Sequence, residues 1–496
     1  MLKIQNKVEE LLIRELKKTS KKKIGLLFSG GVDSLVLAYY LKKLNYDFTC
    51  YTASMKNSNS EDLKQAKEVA KFLKLNLKHK EIETKQVPKY LKKIIPIIKT
   101  TNPVDVSVAL TLQVAEELAV KDKVKIVFSG LGSDEIFGGY NRHKTSKNLN
   151  KDLLEGLKRV YEGDLKRDRL IAENNGLEII APYLEKELVD YAIKIPEKYK
   201  IKNEINKFIL RDLAIKNGIP EEFALRPKKA AQYGSKFDKA ITKLAKKEKK
   251  RKSEYLNQFM KLGVLFSSGK DSCYSAYLMK KQNYSLSCLI TIKSSNPDSY
   301  MFHTPNIHLT ELQAKAMELP ILFQETTGKK EDELKDLEIA LKKAQKDFKI
   351  QGIVTGALFS DYQRERIEKI AEKLDLEVFS PLWHKDQEEE MRELIENDFK
   401  IIFSSIAAYG LDKKWLGKII TNEDIDKLVK LNKKCKINIA GEGGEFESLT
   451  LDCPLFKKKL EILESKKVME NECTGRYVIE KSNLVDKIAF QKVLLF

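Results

Sequence analysis

One stretch of the chain occurs twice, and this duplication constrains the fold more than any other feature of the sequence. Residues 24–50 read IGLLFSGGVDSLVLAYYLKKLNYDFTC, and residues 262–288 read LGVLFSSGKDSCYSAYLMKKQNYSLSC. At a constant offset of 238 positions, 14 of these 27 pairs are identical. A match of this density indicates two copies of one building block. The chain of 496 residues is long enough for roughly two to four domains.

Each copy begins with the same order of short elements. An apolar run at 24–28 or 262–266 is followed by a Ser/Gly loop, and then by an amphipathic segment at about 33–44 or 271–282. A short apolar run bounded by glycine and serine is typical of a buried parallel strand, and the amphipathic segment predicts a helix. Each copy therefore predicts a strand, a loop and a helix in that order.

A second strand and loop follow in each copy, at 124–135 and at 352–361. Strands that alternate with helical patterns predict βαβ units and a parallel sheet. We therefore predict an α/β protein with two domains, each a mostly parallel sheet flanked by helices. Residues 140–235 are largely helical in pattern, so the first domain is predicted to carry a helical C-terminal extension, and residues 1–20 predict a leading amphipathic helix.

A basic segment lies between the two copies. Residues 243–252 read KLAKKEKKRK and contain almost no apolar side chains, which is typical of a linker or a solvated helix end. We place the first domain at 1–242, a basic linker at 243–260 and the second domain at 261–496.

The Ser/Gly loops, S-G-G-V-D-S and S-S-G-K-D-S, suit a phosphate chain. Glycine lets the backbone approach the anion, while backbone N–H groups and the helix dipole face it. A carboxylate repels bare phosphate, so Asp33 and Asp271 predict a Mg²⁺ ion between them and the phosphates. Neither loop matches the Walker pattern, and the second copy disfavours the alternative of a turn whose aspartate caps a helix. The predicted phosphate-binding residues are Ser29, Gly30, Gly31, Asp33, Ser34, Ser267, Ser268, Gly269, Lys270, Asp271 and Ser272.

The S-G-G-x-D-S pattern resembles the PP-loop ATP pyrophosphatases. The resemblance implies that ATP is cleaved between its α and β phosphates, that an acceptor is adenylated, and that ammonia or sulfur then displaces AMP. It implies ATP and Mg²⁺ as cofactors, with Asp33, Asp134 and Asp271 as metal ligands.

From about residue 262 to residue 460 the chain resembles the diphthine–ammonia ligases. The matching segments are FSSGKDS (266–272), SYMFHTPN (299–306), TGALFSDYQRERIE (355–368), PLWHKDQ (381–387), AAYGLDKKWLG (407–417) and GEGGEFESLTLDCPLF (441–456). The resemblance implies that ATP activates the carboxylate of diphthine, a modified histidine of elongation factor 2. Ammonia would then attack the acyl-adenylate to give diphthamide, with AMP and pyrophosphate as the other products.

Residues after the second strand of this copy complete the second candidate site. Gly356 and Asp361 follow the second strand, and we expect them to contact the nucleotide. Arg364 comes within one turn, where its guanidinium could clamp phosphate or the developing adenylate. The alternative for Arg364 is a surface helix with Arg–Glu pairs.

The Gly-rich segment at 441–447 holds three acids, Glu442, Glu445 and Glu447. It predicts recognition of a cationic or amine-bearing substrate, or metal binding, and diphthine carries a quaternary ammonium. The alternative is an acidic turn. We take Glu445, with Asp271 and Arg364, as a catalytic candidate.

Residues 24–235 resemble the synthetase domain of asparagine and β-lactam synthetases. The matching segments are FSGGVDS (28–34), SGLGSDEIFGGYNRH (129–143), APYLEKELVDYA (181–192), INKFILRDLA (205–214) and LRPKKAA (225–231). The resemblance implies that Gly130 and the first loop bind ATP, that Asp134 binds Mg²⁺–pyrophosphate and that Lys207 is the catalytic cation.

Two departures from this pattern affect the expected substrate and ammonia source. Leu131 stands where asparagine synthetases usually have an acid, which puts asparagine synthesis in doubt. Position 2 is Leu, and only about 23 residues precede the first strand, so no glutaminase nucleophile is expected. We therefore expect free ammonia or a separate amidotransferase as the ammonia source.

Composition limits the partners and the location. The net charge is +19, but 79 of the 91 basic residues are lysine, which favours a solvated surface over direct nucleic-acid binding. No stretch approaches 18 apolar residues and no secretory core begins the chain, so a cytoplasmic protein without a membrane span is expected. The six cysteines form no C-x-x-C, which disfavours a disulfide framework or zinc ribbon.

Three other functions stay open at the level of sequence. The chain could be a tRNA-modifying PP-loop enzyme, an asparagine synthetase through its N-terminal half, or a non-catalytic nucleotide-sensing module. Amidation of diphthine on elongation factor 2 is the function that the longest matches favour.

Overall fold

The computed structural model describes residues 1–19, 23–227, 234–294, 306–328, 330–356 and 361–487, with the backbone alone for 330–331 and 361–363. The chain divides into two compact units, Met1–Leu256 (unit 1) and Asn257–Phe496 (unit 2). Each unit is built on its own parallel sheet.

The sheet of unit 1 has five strands in the order β3-β2-β1-β4-β5, and every neighbouring pair is parallel. The order runs one way from β1 to β3 and the other way from β1 to β5, so the sheet has a switch point between β1 and β4. Ligands of such sheets bind in the crevice at the carboxyl ends of the strands that flank the switch point. The strands are β1 (Ile24–Leu27), β2 (Phe48–Met55), β3 (Leu77–Ile82), β4 (Ile126–Phe128) and β5 (Glu178–Ile180).

Helices cover this sheet and form the extension that follows it. The leading helix Leu2–Lys18 buries Val8, Leu11, Leu12 and Leu16, the apolar face that the sequence predicted. The helical extension is also confirmed, because six helices lie between residues 140 and 227. The other helices of unit 1 are Val32–Lys43, Glu61–Leu73, Val87–Ile98, Pro103–Lys121, Ser133–Phe137, Leu149–Arg159, Leu165–Asn174, Lys186–Ile193, Glu197–Lys200, Phe208–Lys216, Glu221–Ala224 and Phe237–Lys247.

Unit 2 repeats this sheet. Its order is β10-β9-β6-β7-β8, again with parallel neighbours and with the switch point between β6 and β9. The predicted fold class is therefore confirmed in both halves. The strands are β6 (Lys261–Leu265), β7 (Ser285–Ser294), β8 (Ile321–Thr326), β9 (Gly352–Val354) and β10 (Glu377–Phe379).

Unit 2 also contains a second sheet that the sequence patterns did not predict. Its four antiparallel strands lie in the order β12-β11-β14-β13. They are β11 (Lys400–Ala407), β12 (Phe446–Asp452), β13 (Lys458–Met469) and β14 (Thr474–Asp486). The helices of unit 2 are Lys270–Lys281, Thr310–Met317, Lys330–Phe348, Asp361–Lys373, Gln387–Glu396 and Asn422–Cys435.

The basic segment between the copies is largely helical. The helix Phe237–Lys247 extends into it, and a short helix, Lys252–Asn257, spans the division between the units. The proposed limits of the linker stay a prediction. Across the described ranges, every helix is too short or too polar to cross a bilayer.

Candidate functional site

Residues 29–34, here called phosphate loop 1, connect β1 to the helix Val32–Lys43 at the switch point of unit 1. Gly30 has a φ of +73°, and a Cβ there would lie 2.8 Å from the backbone nitrogen of Ala66. Glycine is therefore required both by the conformation and by the close approach of the neighbouring helix. The side chain of Gln65 donates to the Gly30 carbonyl at 2.7 Å and fixes the loop against that helix.

In both units a glycine packs against the phosphate loop from the neighbouring loop, which follows β4 in unit 1 and β9 in unit 2. A Cβ on Gly130 would lie 3.0 Å from the Cβ of Asp33. A Cβ on Gly356 would lie 2.9 Å from the carbonyl carbon of Asp271. Both predicted glycines thus lie directly against the aspartate that we expect to face the metal and phosphates.

The three charged residues predicted for unit 1 lie together. The Lys207 ammonium is 2.7 and 2.8 Å from the two carboxylate oxygens of Asp33 and 2.8 Å from Asp134 Oδ1. It also donates to Ser133 Oγ at 2.9 Å, and its side chain is 1% exposed. One buried cation therefore holds the aspartates of two different loops at the carboxyl edge of the sheet.

Two residues of the helical extension support this cluster. Tyr183 donates to the backbone carbonyl of Asp33 at 3.0 Å. Arg211 is buried, and burial lowers the pKa of its guanidinium, although Asp33 and Asp134 act in the opposite direction. The extension thus supplies the charges that balance the two aspartates.

Residues 267–272, here called phosphate loop 2, have the same position in unit 2, between β6 and the helix Lys270–Lys281. Ser268 occupies the position of Gly30 with the same φ of +73°. A serine in this region is strained by roughly 1–2 kcal/mol. Its carbonyl accepts two hydrogen bonds, from Gln313 Nε2 at 3.0 Å and from the backbone of Thr450 at 3.1 Å, and these hold the conformation.

Strand β12 of the antiparallel sheet lies beside phosphate loop 2. The backbone N–H of Lys270 donates to Ser448 Oγ at 3.0 Å, and Thr450 reaches the loop as described. Gln313 joins the two, because the same amide nitrogen also donates to the Thr450 carbonyl at 2.8 Å. The second sheet therefore forms part of the candidate site.

The buried cation of unit 2 comes from the loop itself. Lys270 is 1% exposed, and its ammonium donates to Asp271 and, at 3.2 Å, to Glu390 Oε1. Burial lowers the pKa of Lys270, but Asp271 and Glu390 outweigh it and the net shift is upward. Burial raises the pKa of Glu390 well above its usual range, and Asp271 adds to this effect.

The described contacts of Arg364 do not reach phosphate loop 2. Its guanidinium pairs with Glu368 at 2.6 Å and stacks over the Trp383 ring at 4.4 Å from the ring centroid. This is the Arg–Glu pair of a helix surface that the sequence left open. Asp361 begins the helix Asp361–Lys373, and its side chain lies outside the described residues.

In the structure the acids of segment 441–447 have different surroundings. Both oxygens of Glu445 accept backbone N–H groups of its own loop, from Asn438 at 2.8 Å and from Gly443 at 2.9 Å. Glu447 lies on β12 and faces the charged groups of phosphate loop 2. Burial raises its pKa to about 7, with contributions from Asp271 and Glu442. The catalytic role predicted for Glu445 stays a prediction, and its observed contacts brace the loop.

Sequence patterns gave no signal for three of these residues. Glu390 is one of three consecutive glutamates on one helix, and nothing in that run distinguishes the one that is buried. Gln313 lies far from the loop in sequence and in no matching segment. Ser448 lies in the matching segment 441–456, but nothing in that segment indicates that it contacts the loop. Only the tertiary structure brings them to phosphate loop 2.

The donor set fits a metal that arrives with a nucleotide. Among the described residues, no group of three or more His, Cys, Asp or Glu side chains could hold a metal ion alone. Mg²⁺ is commonly held by one or two carboxylates together with substrate phosphates. Asp33 with Asp134 in unit 1, and Asp271 in unit 2, provide such carboxylates beside a phosphate loop.

Comparison with known families divides the chain at the same place. The diphthamide synthase N-terminal domain matches residues 260–378, and the diphthamide synthase C-terminal domain matches residues 386–485. The asparagine synthase family matches residues 7–155 and 143–261.

Individual relatives agree with these matches. Diphthine–ammonia ligase of Mus musculus is 36% identical over 231 residues, which are 43% of this chain and 86% of the mouse protein. Its Homo sapiens counterpart is 36% identical over 229 residues, which are 42% and 85% of the two chains. A Methanocaldococcus jannaschii protein, named provisionally as a glutamine-hydrolysing asparagine synthetase, is 35% identical over 296 residues, or 50% of this chain and 54% of its own. The chain therefore belongs to the diphthine–ammonia ligase family, and its N-terminal half is an asparagine synthase domain.

Proposed function

We propose that unit 2 is an ATP-dependent ligase that adenylates the carboxylate of diphthine on elongation factor 2 and amidates it with ammonia. The products are diphthamide, AMP and pyrophosphate. One observation carries the proposal: phosphate loop 2, with Asp271 against a buried Lys270, lies at the switch point of a sheet in the part of the chain that resembles diphthine–ammonia ligases.

The residues of unit 2 suit both steps of this reaction. In the first step an acceptor oxygen attacks the α-phosphorus, and the bond to pyrophosphate breaks. The loop N–H groups and the helix N-terminus would hold the phosphates, and Lys270 would stabilise the negative charge on the leaving group. A Mg²⁺ held by Asp271 would neutralise phosphate charge. In the second step ammonia attacks the acyl carbon, AMP leaves, and one proton is released.

For unit 1 we propose ATP binding by phosphate loop 1, with Asp33, Asp134 and Lys207 as its charged groups. The asparagine synthase domain favours a carboxylate acceptor for this unit as well. Leu131 replaces the usual acid, so asparagine synthesis remains the second candidate for this unit. Ammonia, free or from a separate amidotransferase, is the proposed nitrogen source for both.

An acceptor screen tests the proposal. Purified full-length chain would be incubated with ATP, Mg²⁺ and ammonium, and with diphthine-bearing elongation factor 2, aspartate or bulk tRNA. We expect AMP and diphthamide with the elongation factor, measured by chromatography and mass spectrometry. Formation of ADP, or AMP released with tRNA alone, would contradict the proposal and favour a different enzyme class.

A further inference from the structure

Each phosphate loop contains one residue with a positive φ, and in both units a glutamine contacts its carbonyl. Gly30 and Ser268 occupy the same position of the repeat and have the same φ of +73°. In unit 1 the Gln65 side chain donates to the Gly30 carbonyl at 2.7 Å. In unit 2 the Gln313 side chain donates to the Ser268 carbonyl at 3.0 Å. An amide N–H group thus meets the same loop carbonyl in both units.

The two glutamines lie on equivalent helices. Gln65 belongs to the helix between β2 and β3, and Gln313 belongs to the helix Thr310–Met317 between β7 and β8. They follow the loop residues that they contact by 35 and 45 positions. The constant offset of the repeat therefore does not align them, and only the fold shows that their places correspond. The same donor at different sequence distances indicates that the loop requires it.

The glutamine has more to hold in unit 2 than in unit 1. Glycine adopts a positive φ freely, whereas a serine is disfavoured there by roughly tenfold. The Ser268 hydroxyl is buried and has no hydrogen-bond partner among the described residues, so it does not fix its own backbone. The conformation depends on the Ser268 carbonyl, which accepts from the Gln313 amide and from the backbone N–H of Thr450.

The surroundings of the Gln313 amide determine its orientation. The side chain is fully buried, and its Nε2 donates both to the Ser268 carbonyl and, at 2.8 Å, to the Thr450 carbonyl. The opposite orientation would place the amide oxygen against two carbonyl oxygens, which repel it. Gln313 therefore acts as a donor to the loop, and a side chain of similar shape without N–H groups cannot replace it.

The carbonyl that Gln313 holds also fixes the direction of the next N–H group. In a planar trans peptide the C=O and N–H bonds point to opposite sides, so the Ser268 carbonyl and the Gly269 N–H face apart. Gly269 is buried, and its N–H meets no acceptor within the described part of the chain. In unit 1 the equivalent N–H, of Gly31, is 3.3 Å from Ser29 Oγ. A buried loop N–H without an acceptor is rare and suits an anionic ligand.

We propose that Gln313 is a positioning residue for ATP, because it fixes the Ser268–Gly269 peptide so that the Gly269 N–H faces the phosphates. The inference rests on the proposed function, which places ATP at phosphate loop 2. Gln65 does the same for the Gly30–Gly31 peptide in unit 1, where the glycine makes the contact less critical. Both glutamines act through the loop and do not touch the reacting atoms.

Photolabelling measures nucleotide binding in each unit of the full-length chain. 8-Azido-ATP would be crosslinked over a concentration series, and labelled peptides from the two units would be quantified separately by mass spectrometry. Gln313→Met keeps the length of the side chain and removes the donor. We expect it to raise the half-saturating concentration for unit 2 about tenfold, whereas Gln65→Met should raise that for unit 1 by less than about threefold. Comparable losses in the two units would contradict the inference.

Gln345→Met is the matched control. Gln345 is another glutamine of unit 2 whose side chain donates to a backbone carbonyl, that of Leu374 at 3.1 Å, outside phosphate loop 2. The same substitution there removes a similar hydrogen bond, so it should change the stability of unit 2 without changing the labelling of either unit. Weaker labelling in Gln345→Met, equal to that in Gln313→Met, would show that any lost hydrogen bond has this effect.

A double-substitution cycle separates positioning from general stability. Ser268→Gly removes the strain that Gln313 offsets, so Gln313→Met should weaken labelling of unit 2 by at most about twofold in the Ser268→Gly background. In steady-state kinetics Gln313→Met should raise the KM for ATP about tenfold and leave the KM for elongation factor 2 unchanged. Equal losses in the two backgrounds, or lower thermal stability with an unchanged KM for ATP, would overturn the inference.

The inference and the proposed function fail in different ways. If labelling of unit 2 depends on Gln313 as expected but the wild type forms no diphthamide, the positioning role stands and the proposed reaction is wrong. If Gln313→Met forms diphthamide with the KM for ATP of the wild type, the proposed function stands and the role of Gln313 is wrong. If the nucleotide labels neither loop, both are wrong.

Discussion

The two phosphate loops solve one electrostatic problem in two ways. Each places an aspartate at the carboxyl edge of a five-stranded sheet and sets a buried ammonium against it. In unit 1 that ammonium belongs to Lys207, 174 positions away from Asp33 in the sequence. In unit 2 it belongs to Lys270, the neighbour of Asp271. The position of Lys270 in the repeat is held in unit 1 by Val32, which is 5% exposed.

The difference shows that the site requires a positive charge beside the loop aspartate. The position in the sequence of the lysine that supplies this charge can vary. A lysine reaches the loop aspartate equally well from an adjacent residue or from a distant helix, because a long side chain spans the gap. Alignment of the two copies alone would assign unit 1 no buried cation. Equivalent chemistry in duplicated domains is therefore better compared by atoms than by aligned positions.

The largest expected effect comes from removing the loop aspartates one at a time. Asp271→Ala should lower diphthamide formation by about a thousandfold, because the group that holds metal and phosphate charge is lost. Asp33→Ala should leave that product mostly unchanged if the units act separately. Both rates would be measured by mass spectrometry of elongation factor 2. A comparable collapse in Asp33→Ala would show that the two loops act together.

A buried carboxyl of unit 1, Glu116, gives a pH-dependent test of the stability of that unit. Burial raises the pKa of Glu116 to about 8, while one of its oxygens accepts from Asn175 at 2.8 Å. Between pH 4.5 and 8 the folded state keeps a proton that the unfolded state releases, so the free energy of unfolding falls as the pH rises. Glu116→Gln should remove this loss and stabilise unit 1 at pH 8 by roughly 4 kcal/mol.

Urea denaturation at pH 5 and pH 8 would measure this effect. The variant and the wild type should differ little at pH 5, where Glu116 is protonated in the folded protein. Glu173→Gln, an exposed glutamate on the helix Leu165–Asn174, serves as the control and should change neither value. Equal pH dependence in Glu116→Gln and the wild type would mean that another group titrates.

Substitution of the two glycines that pack against the phosphate loops, Gly130 and Gly356, should have a smaller effect and allows the two loops to be compared directly. Gly356→Ala places a Cβ 2.9 Å from the backbone of Asp271, which must shift to accept it. We expect the KM for ATP in diphthamide formation to rise about tenfold, with little change in the folded state. Gly130→Ala, whose added Cβ meets Asp33 at 3.0 Å, should affect ATP binding by unit 1 alone. Identical kinetics in Gly356→Ala and the wild type would show that this contact does not shape the nucleotide site.

The smallest expected effect is that of deleting unit 1. A chain of residues 257–496 contains a complete parallel sheet and the antiparallel sheet that contacts phosphate loop 2. We expect it to fold cooperatively and to form diphthamide at a rate within about twofold of the full chain. Circular dichroism and the same product assay would check this. An insoluble or inactive fragment would show that unit 2 depends on the rest of the chain.

Sequence patterns were sufficient for the parts of the fold that follow local rules. The strands before both loops, the helices after them and the leading helix lie within a few residues of their predicted places, because periodicity and glycine positions decide them. Lys207 was assigned through resemblance, and the structure brings it to Asp33 and Asp134. The antiparallel sheet was missed because β13 and β14 are exposed along much of their length and lack a clear alternation.

The choice among the acids of 441–447 could not be made from sequence. Alternation along a strand would put Glu445 and Glu447 on the same face. The strand begins only at Phe446, so Glu445 still belongs to the preceding loop and turns back to its N–H groups. The residue at which β12 begins thus decides which glutamate faces the charged groups of phosphate loop 2.

The serine at position 268 has a consequence for how unit 2 becomes competent. Gly30 adopts its conformation freely, but Ser268 is held in the same conformation by Gln313 and by the backbone of Thr450. These partners come from a helix and a strand that are 45 and more residues away along the chain. The conformation of phosphate loop 2 therefore depends on contacts from the helix Thr310–Met317 and from β12, so the loop is complete only when both elements are docked against it.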